Sequence, residues 1–107
     1  MKAIHFILYT SNQDASTQFY ARVLALQPRL HVPGMTEFEL PAGAILGLMP
    51  ETGIKRLLGD ALPDPAAAAG IPRAELYLAV DDAQTFHQRA LSAGAKELSP
   101  LLPRNWG

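Results

Sequence analysis

His5 and Glu75 are the side chains of this 107-residue chain whose types and spacing point most directly to chemistry. An imidazole with a carboxylate suits zinc, manganese, nickel or iron(II), and the same pair can pass a proton. Each stands at the head of a similar stretch of text. Residues 4–26, IHFILYTSNQDASTQFYARVLAL, and residues 74–93, AELYLAVDDAQTFHQRALSA, both read as a short strand running into an amphipathic helix. His5 falls opposite Glu75, and FYARVLAL against FHQRALSA aligns Phe19, Arg22 and Leu24 with Phe86, Arg89 and Leu91. The repeated order of strand, cap and helix predicts an internal pseudo-twofold, with a site built between the copies.

The elements that must position these residues follow from local pattern. Residues 3–9 are rich in β-favouring types, and alternation puts His5, Ile7 and Tyr9 on one face and Ile4, Phe6 and Leu8 on the other. Both faces are mostly apolar, so both are expected to be covered, with His5 at the margin of a concave interior. Ser11 to Asp14 offers helix-capping side chains, and Ala15, Phe19, Val23 and Leu26 give an apolar stripe of helical period. From Pro28 onward, breaks at Pro33-Gly34 and Pro41 to Gly43 divide the text into strands over 29–32, 35–40 and 44–49, a β-meander. Gly47 interrupts the last of these. It reads either as a bulge or tight packing, or as a place where a ligand approaches the backbone.

Residues 50–73 carry Pro63, Pro65 and Pro72 with Gly53, Gly59 and Gly70, which forbids a long helix but allows a turn or two over 54–62. The stretch reads first as a linker between the copies and second as a lid. The second strand, 75–80, puts Glu75, Tyr77 and Ala79 on one face. Asp81 or Asp82 caps the following helix, whose buried side is marked by Phe86, Ala90 and Leu91 and whose end is signalled by Gly94. A short strand is expected near 96–98.

Composition removes several classes of function. Nine basic and ten acidic residues are scattered along the chain, leaving no electrostatic footprint for nucleic acid or an anionic membrane. The absence of cysteine excludes thiol nucleophiles, thiolate zinc and iron-sulfur clusters, and it fits a cytoplasmic location. No apolar run reaches the roughly 20 residues needed to cross a bilayer. One domain, residues 1–107, is expected.

The strand-helix text HFILYTSNQDASTQFYARVLAL resembles the first βαβββ module of the vicinal oxygen chelate superfamily, which includes glyoxalase I, extradiol dioxygenases and bleomycin-resistance proteins. AELYLAVDDAQTFHQRALSAGAKEL is similar to the opening of its second module, and the F-Y-x-x-V-L run and the A-G-A after the second helix are the most specific matches. The resemblance implies an α+β fold of paired βαβββ modules whose curved mixed sheet encloses a cavity. Residues 1–50 would form the first module, 51–73 the linker and 74–107 an incomplete second module. The family would place two further strands after Gly107, so either the chain continues or another chain supplies the cover.

The resemblance also implies a divalent metal (zinc, nickel, manganese or iron(II)) held from first and fourth strands. His5 is similar to the first-strand ligand and Glu75 takes the corresponding place in the second module, as ligand or as catalytic base. The fourth-strand position falls on Gly47, which has no side chain to ligate. Two readings of the pair stay open beside this one: His5 as a partly buried histidine bonded to a neighbouring carboxylate, and Glu75 as an ion-pair member or solvated strand residue. His31 and His87 read as surface residues. Tyr9, Met49, Tyr77 and Trp106 are candidates to line a small-molecule pocket; plain core packing is the alternative for the first three, and Trp106 is the exception, read as a loop tryptophan near the cavity mouth.

Three functions therefore compete. One is a metal-dependent lyase, isomerase or dioxygenase acting on a small oxygenated substrate. Another is a metal-free protein that sequesters a hydrophobic or drug-like molecule. The last is a domain that only pairs through exposed strands. The resemblance implies a homodimer.

Overall fold

The computed structural model describes residues 1–105. Strand β1 (Ile4–Thr10) leads into helix α1 (Gln13–Leu24), followed by β2 (Leu30–Val32), β3 (Met35–Glu39) and β4 (Ala44–Pro50). The sheet order is β1-β4-β3-β2, with β1 parallel to β4 and the other neighbours antiparallel. This is one βαβββ unit, and the architecture is α+β with a mixed sheet. Helix α2 (Glu51–Leu58) follows β4 directly, so the helical turn expected from residue 54 begins three residues earlier. Helix α3 (Ala83–Ser92) is the helix of the second copy.

The core sits between the sheet and α1. Phe38, Leu46, Leu48 and Thr36 are fully buried there, with Leu24, Val23 and Thr17 supplied by the helix. Alternation explains the selection: Phe38 pairs with Leu46 and Thr36 with Leu48, so all four point to the side where α1 lies. Asn12 starts α1 by accepting from the Ala15 amide at 3.0 Å, and Asp82 does the same for α3 from Thr85. The Thr85 side-chain and backbone hydrogen bonds on Asp82 hold that carboxyl below its ordinary range.

The two helices meet through the repeat itself. Arg22 of α1 donates to the Ser92 carbonyl at 3.1 Å, at the last residue of α3. Arg89 of α3 donates to the Val23 carbonyl of α1 from Nε at 3.2 Å and Nη2 at 3.0 Å. These arginines are aligned in the sequence repeat, and each satisfies a carbonyl that the other's helix leaves unpaired at its C-terminal turn. The reciprocal exchange is the pseudo-twofold expressed as hydrogen bonds.

The strand expected over 75–80 is not formed. No ladder partner lies beside it among the described residues, and a strand exists only by pairing its amides and carbonyls with a neighbour. The same holds for 96–98. Side-chain alternation survives nonetheless: Leu76 and Leu78 pack against the first module's core, while Glu75, Tyr77 and Ala79 are exposed. The second module is thus incomplete.

The expectation that both faces of β1 are covered is corrected too. β1 is an edge strand, Phe6 is 61 % exposed on one face, and Ile7 and Tyr9 are each 44 % exposed on the other. The accessible surface is 7974 Å², against about 5,800 Å² for a folded monomer of this mass. Exposed apolar residues such as Ile4, Phe6, Ile7, Tyr9 and Tyr77 contribute to the excess. No helix among the described residues is long and apolar enough to cross a membrane.

Candidate functional site

The open face of the sheet, opposite α1, carries the first-module residues singled out by sequence. Register places Ile7, Gly47, Glu37 and Leu30 in one row across all four strands. Tyr9 pairs with Met49 on the same face, so these two pocket candidates do come together at its upper end. His5 pairs with Ile45, one row below Ile7.

His5 finds its carboxylate on β3. Its Nδ1 lies 3.4 Å from Glu37 Oε2, and the other carboxylate oxygen, Oε1, accepts from Arg29 Nε at 3.0 Å and lies 2.9 Å from Nη2. Strands two apart in a sheet are separated by about 9.6 Å, so this contact spans the whole width of β4. Gly47, the direct β-partner of Glu37, sends no side chain up between them. A Cβ there would lie 3.1 Å from Ile7 Cγ1 and 3.4 Å from Met35 Sδ, so the tight-packing reading of Gly47 holds in the structure. Glu37 and Arg29 were not singled out by sequence. The usable signal was the alternation M-T-E-F-E, which places Glu37 on the His5 face once the meander is folded.

Glu75 is not part of this cluster. It is exposed at the head of the unpaired 75–80 segment, and no ion pair joins it to His5 among the described residues. Nor does any group of three His, Cys, Asp or Glu side chains fit around a metal among the described residues. With Gly47 on the fourth strand and the His5 Nδ1 turned to a carboxylate already held by arginine, the donor set does not match the three protein ligands usual at a catalytic metal.

The remaining pocket candidates disperse. Tyr77 lines an apolar hollow of about 640 Å³ with Phe6, Leu24, Leu40, Leu78 and Phe86, between the two copies. Tyr9 borders a smaller one of about 370 Å³ with Leu62, Pro65 and Ile71 of the connecting segment. Trp106 lies outside the described residues. Burial pushes the Tyr20 phenol up, but Tyr20 packs on the core side of the sheet, away from the open face.

His31 and His87 are not bystanders. His87 Nε2 lies 2.7 Å from Glu97 and ties the segment after α3 back to that helix. His31 Nδ1 lies 2.7 Å from Thr36 Oγ1, while its Nε2 is 3.4 Å from Asp14. Carboxylate, imidazole and hydroxyl in a row resemble a nucleophile's relay, but Thr36 is fully buried and no substrate atom can reach it. Its hydroxyl instead joins Thr17 and Gln13, both at 2.9 Å, and Gln13 also binds the Val32 carbonyl and the Gly34 amide. The network clamps the β2-β3 hairpin to the start of α1.

The model of the Glyoxalase/Bleomycin resistance protein/Dioxygenase superfamily matches residues 2–107. Among solved structures, a crystal structure of a glyoxalase/bleomycin resistance protein/dioxygenase from Nocardioides is similar, with 25% identity and a TM-score of 0.65 over 96% of this chain and 68% of that one. No curated protein matches.

Proposed function

Since the chain belongs to the Glyoxalase/Bleomycin resistance protein/Dioxygenase superfamily, we propose that it is a metal-independent member that holds a small, largely apolar molecule on the open face of its first-module sheet. The observation that carries this reading is the His5–Glu37–Arg29 cluster beside Gly47. The histidine that would open a metal site is engaged with a carboxylate on β3, and the fourth-strand position offers no donor. What the face does offer is a floor of Ile7, Met35, Tyr9 and Met49 with one polar corner, the mix that small-molecule sites use.

A second copy is the cover we propose for this face. The excess surface of about 2,000 Å² per chain over a compact monomer, about 4,000 Å² for a pair, falls in the range that obligate homodimer interfaces bury. Trp106 is proposed as a contributor to the closed cavity from the second module, and Tyr77 as a contact for a ligand in the hollow on the α1 side of the sheet.

Two measurements test the function. Metal analysis of the purified protein, and calorimetric titration with nickel, zinc, manganese and iron(II), should show no stoichiometric binding. One equivalent of metal that disappears in His5→Ala would overturn the reading and restore the metal-dependent enzyme with Glu75 as ligand or base. Tryptophan fluorescence titrated with a panel of small apolar compounds should respond with saturation. Sedimentation equilibrium should give twice the 11.6 kDa chain mass.

A further inference from the structure

We infer that Glu37, held by Arg29, is a positioning residue that fixes the tautomer of His5, so that neutral His5 offers its Nε2 lone pair to a hydrogen-bond donor on the bound molecule. The inference rests on the small-molecule reading for its ligand half and on the free protein alone for its tautomer half.

The steps are chemical. An ionised carboxylate accepts hydrogen bonds and cannot donate them, and a neutral imidazole has one N–H and one lone pair. Arg29 holds the Glu37 carboxylate in place by spanning Oε1 with Nε and Nη2. Glu37 Oε2 then faces His5 Nδ1 at 3.4 Å. A lone pair on Nδ1 would be repelled by that oxygen, whereas an N–H is attracted to it, so the proton of neutral His5 belongs on Nδ1. Free histidine prefers the opposite tautomer. Nε2 is left as an acceptor, and no protein donor meets it among the described residues.

Position gives this acceptor a use. His5 lies one row from Ile7 and Gly47, and the Ile7 and Met35 side chains that close over the glycine make the apolar floor beside its ring. Glu39, opposite Ile45 in register, shares the face, so the corner carries two carboxylates against one guanidinium. Such a corner rejects a carboxylate on the ligand and accepts a hydroxyl or N–H. Discrimination of this kind is large because the wrong ligand leaves a polar atom unpaired. The ligand class assigned is an apolar ring or chain bearing a hydroxyl or N–H donor.

The experiment reads both halves separately. In uniformly ¹⁵N-labelled protein above neutral pH, with the His5 ring assigned by its loss in His5→Gln, long-range proton–nitrogen correlation should show the proton on Nδ1. Glu37→Gln should shift the ring toward the Nε2–H form, and Glu37→Asp should recover part of the wild-type state. An Nε2–H ring in wild type, or no change in Glu37→Gln, overturns the inference. Folding of each variant is checked by the dispersion of the same spectra, and Arg29→Gln gives a second route, expected to loosen the bias without removing the carboxylate.

For the ligand half, 1-naphthol, 1-methoxynaphthalene and 1-naphthoate are titrated against wild type and Glu37→Gln. We expect 1-naphthol to bind about tenfold more tightly than its methyl ether and 1-naphthoate to bind weakest, with the preference for 1-naphthol narrowed in the variant. Equal affinity for 1-naphthol and its ether in wild type overturns the donor assignment. Failure of all three to bind defeats the small-molecule reading while the nitrogen spectra still decide the tautomer.

Discussion

The first and second copies of the strand-helix unit begin with the same pattern and end in different states. In the first, residues 4–10 become a strand because β4 lies parallel beside them and β3 and β2 continue the sheet. In the second, residues 75–80 keep the same alternation and the same following helix, yet remain unpaired. A helix satisfies its backbone from within four residues, whereas a strand depends on a partner elsewhere in the chain or on another chain. The lesson is that local repetition carries helices and side-chain faces intact but not strands.

Core substitutions should separate the copies most strongly. Phe38→Ala removes a fully buried ring from the first module and should cost about 3–5 kcal/mol. Phe86→Ala, at the half-buried face of α3, should cost about 1 kcal/mol by the area it hides. Urea denaturation of both variants checks the contrast, and equal losses would mean that the second copy is as well packed as the first.

The next largest effect tests what joins α1 to the hairpin. Thr36→Val keeps the shape but leaves Gln13, Thr17 and His31 without their shared hydroxyl, and should cost about 1–3 kcal/mol. Thr36→Ser should recover most of it in the same denaturation assay. A neutral Thr36→Val would show that packing alone holds the hairpin.

Helix ends give a smaller, paired test. Both helices close with an amide bonding five residues back, Leu26 to Ala21 and Ala95 to Ala90, but the residue with positive φ is Ala25 in the first and Gly94 in the second. Ala25→Gly should therefore stabilise the protein by up to about 1 kcal/mol, and Gly94→Ala should destabilise it by about 1–2 kcal/mol. Thermal melts of the two variants should move in opposite directions.

Acid should distinguish the helix starts, by the smallest effect. The folded-state pKa of Asp82 is depressed, so its contribution is present above the unfolded value, about 3.9, and is lost as pH falls through the folded one. Asn12, the cap of α1, does not titrate. Amide protection at the start of α3, measured against the intrinsic exchange rate at each pH, should fall on acidification before that of α1, and in Asp82→Asn the difference should vanish.

How much of this was legible follows the same division. The meander was read from Pro33-Gly34 and Pro41 to Gly43, and its strands fall at Leu30–Val32, Met35–Glu39 and Ala44–Pro50 because turns are written locally. Helix α3 was legible from Asp82 and Gly94 for the same reason. The site was legible only in part. His5, Tyr9 and Met49 share a face, as alternation and register require, but Glu37 and Arg29 reach His5's neighbourhood through pairing across the sheet, which no local pattern records. His31 is exposed, as read, but its contact with Thr36 lies across a hairpin and is not written in any local pattern.

By itself the sequence determined the family, the order of elements in the first module, the helix of the second copy, the caps and the side-chain faces, since each depends on side-chain type and period over a few residues. Only the tertiary structure decided which carboxylate stands by His5. The sequence offered Glu75 through the symmetry of the repeat, but a carboxylate is selected by distance. The four-stranded sheet, with no side chain on Gly47 to fill the space, brought Glu37 there instead.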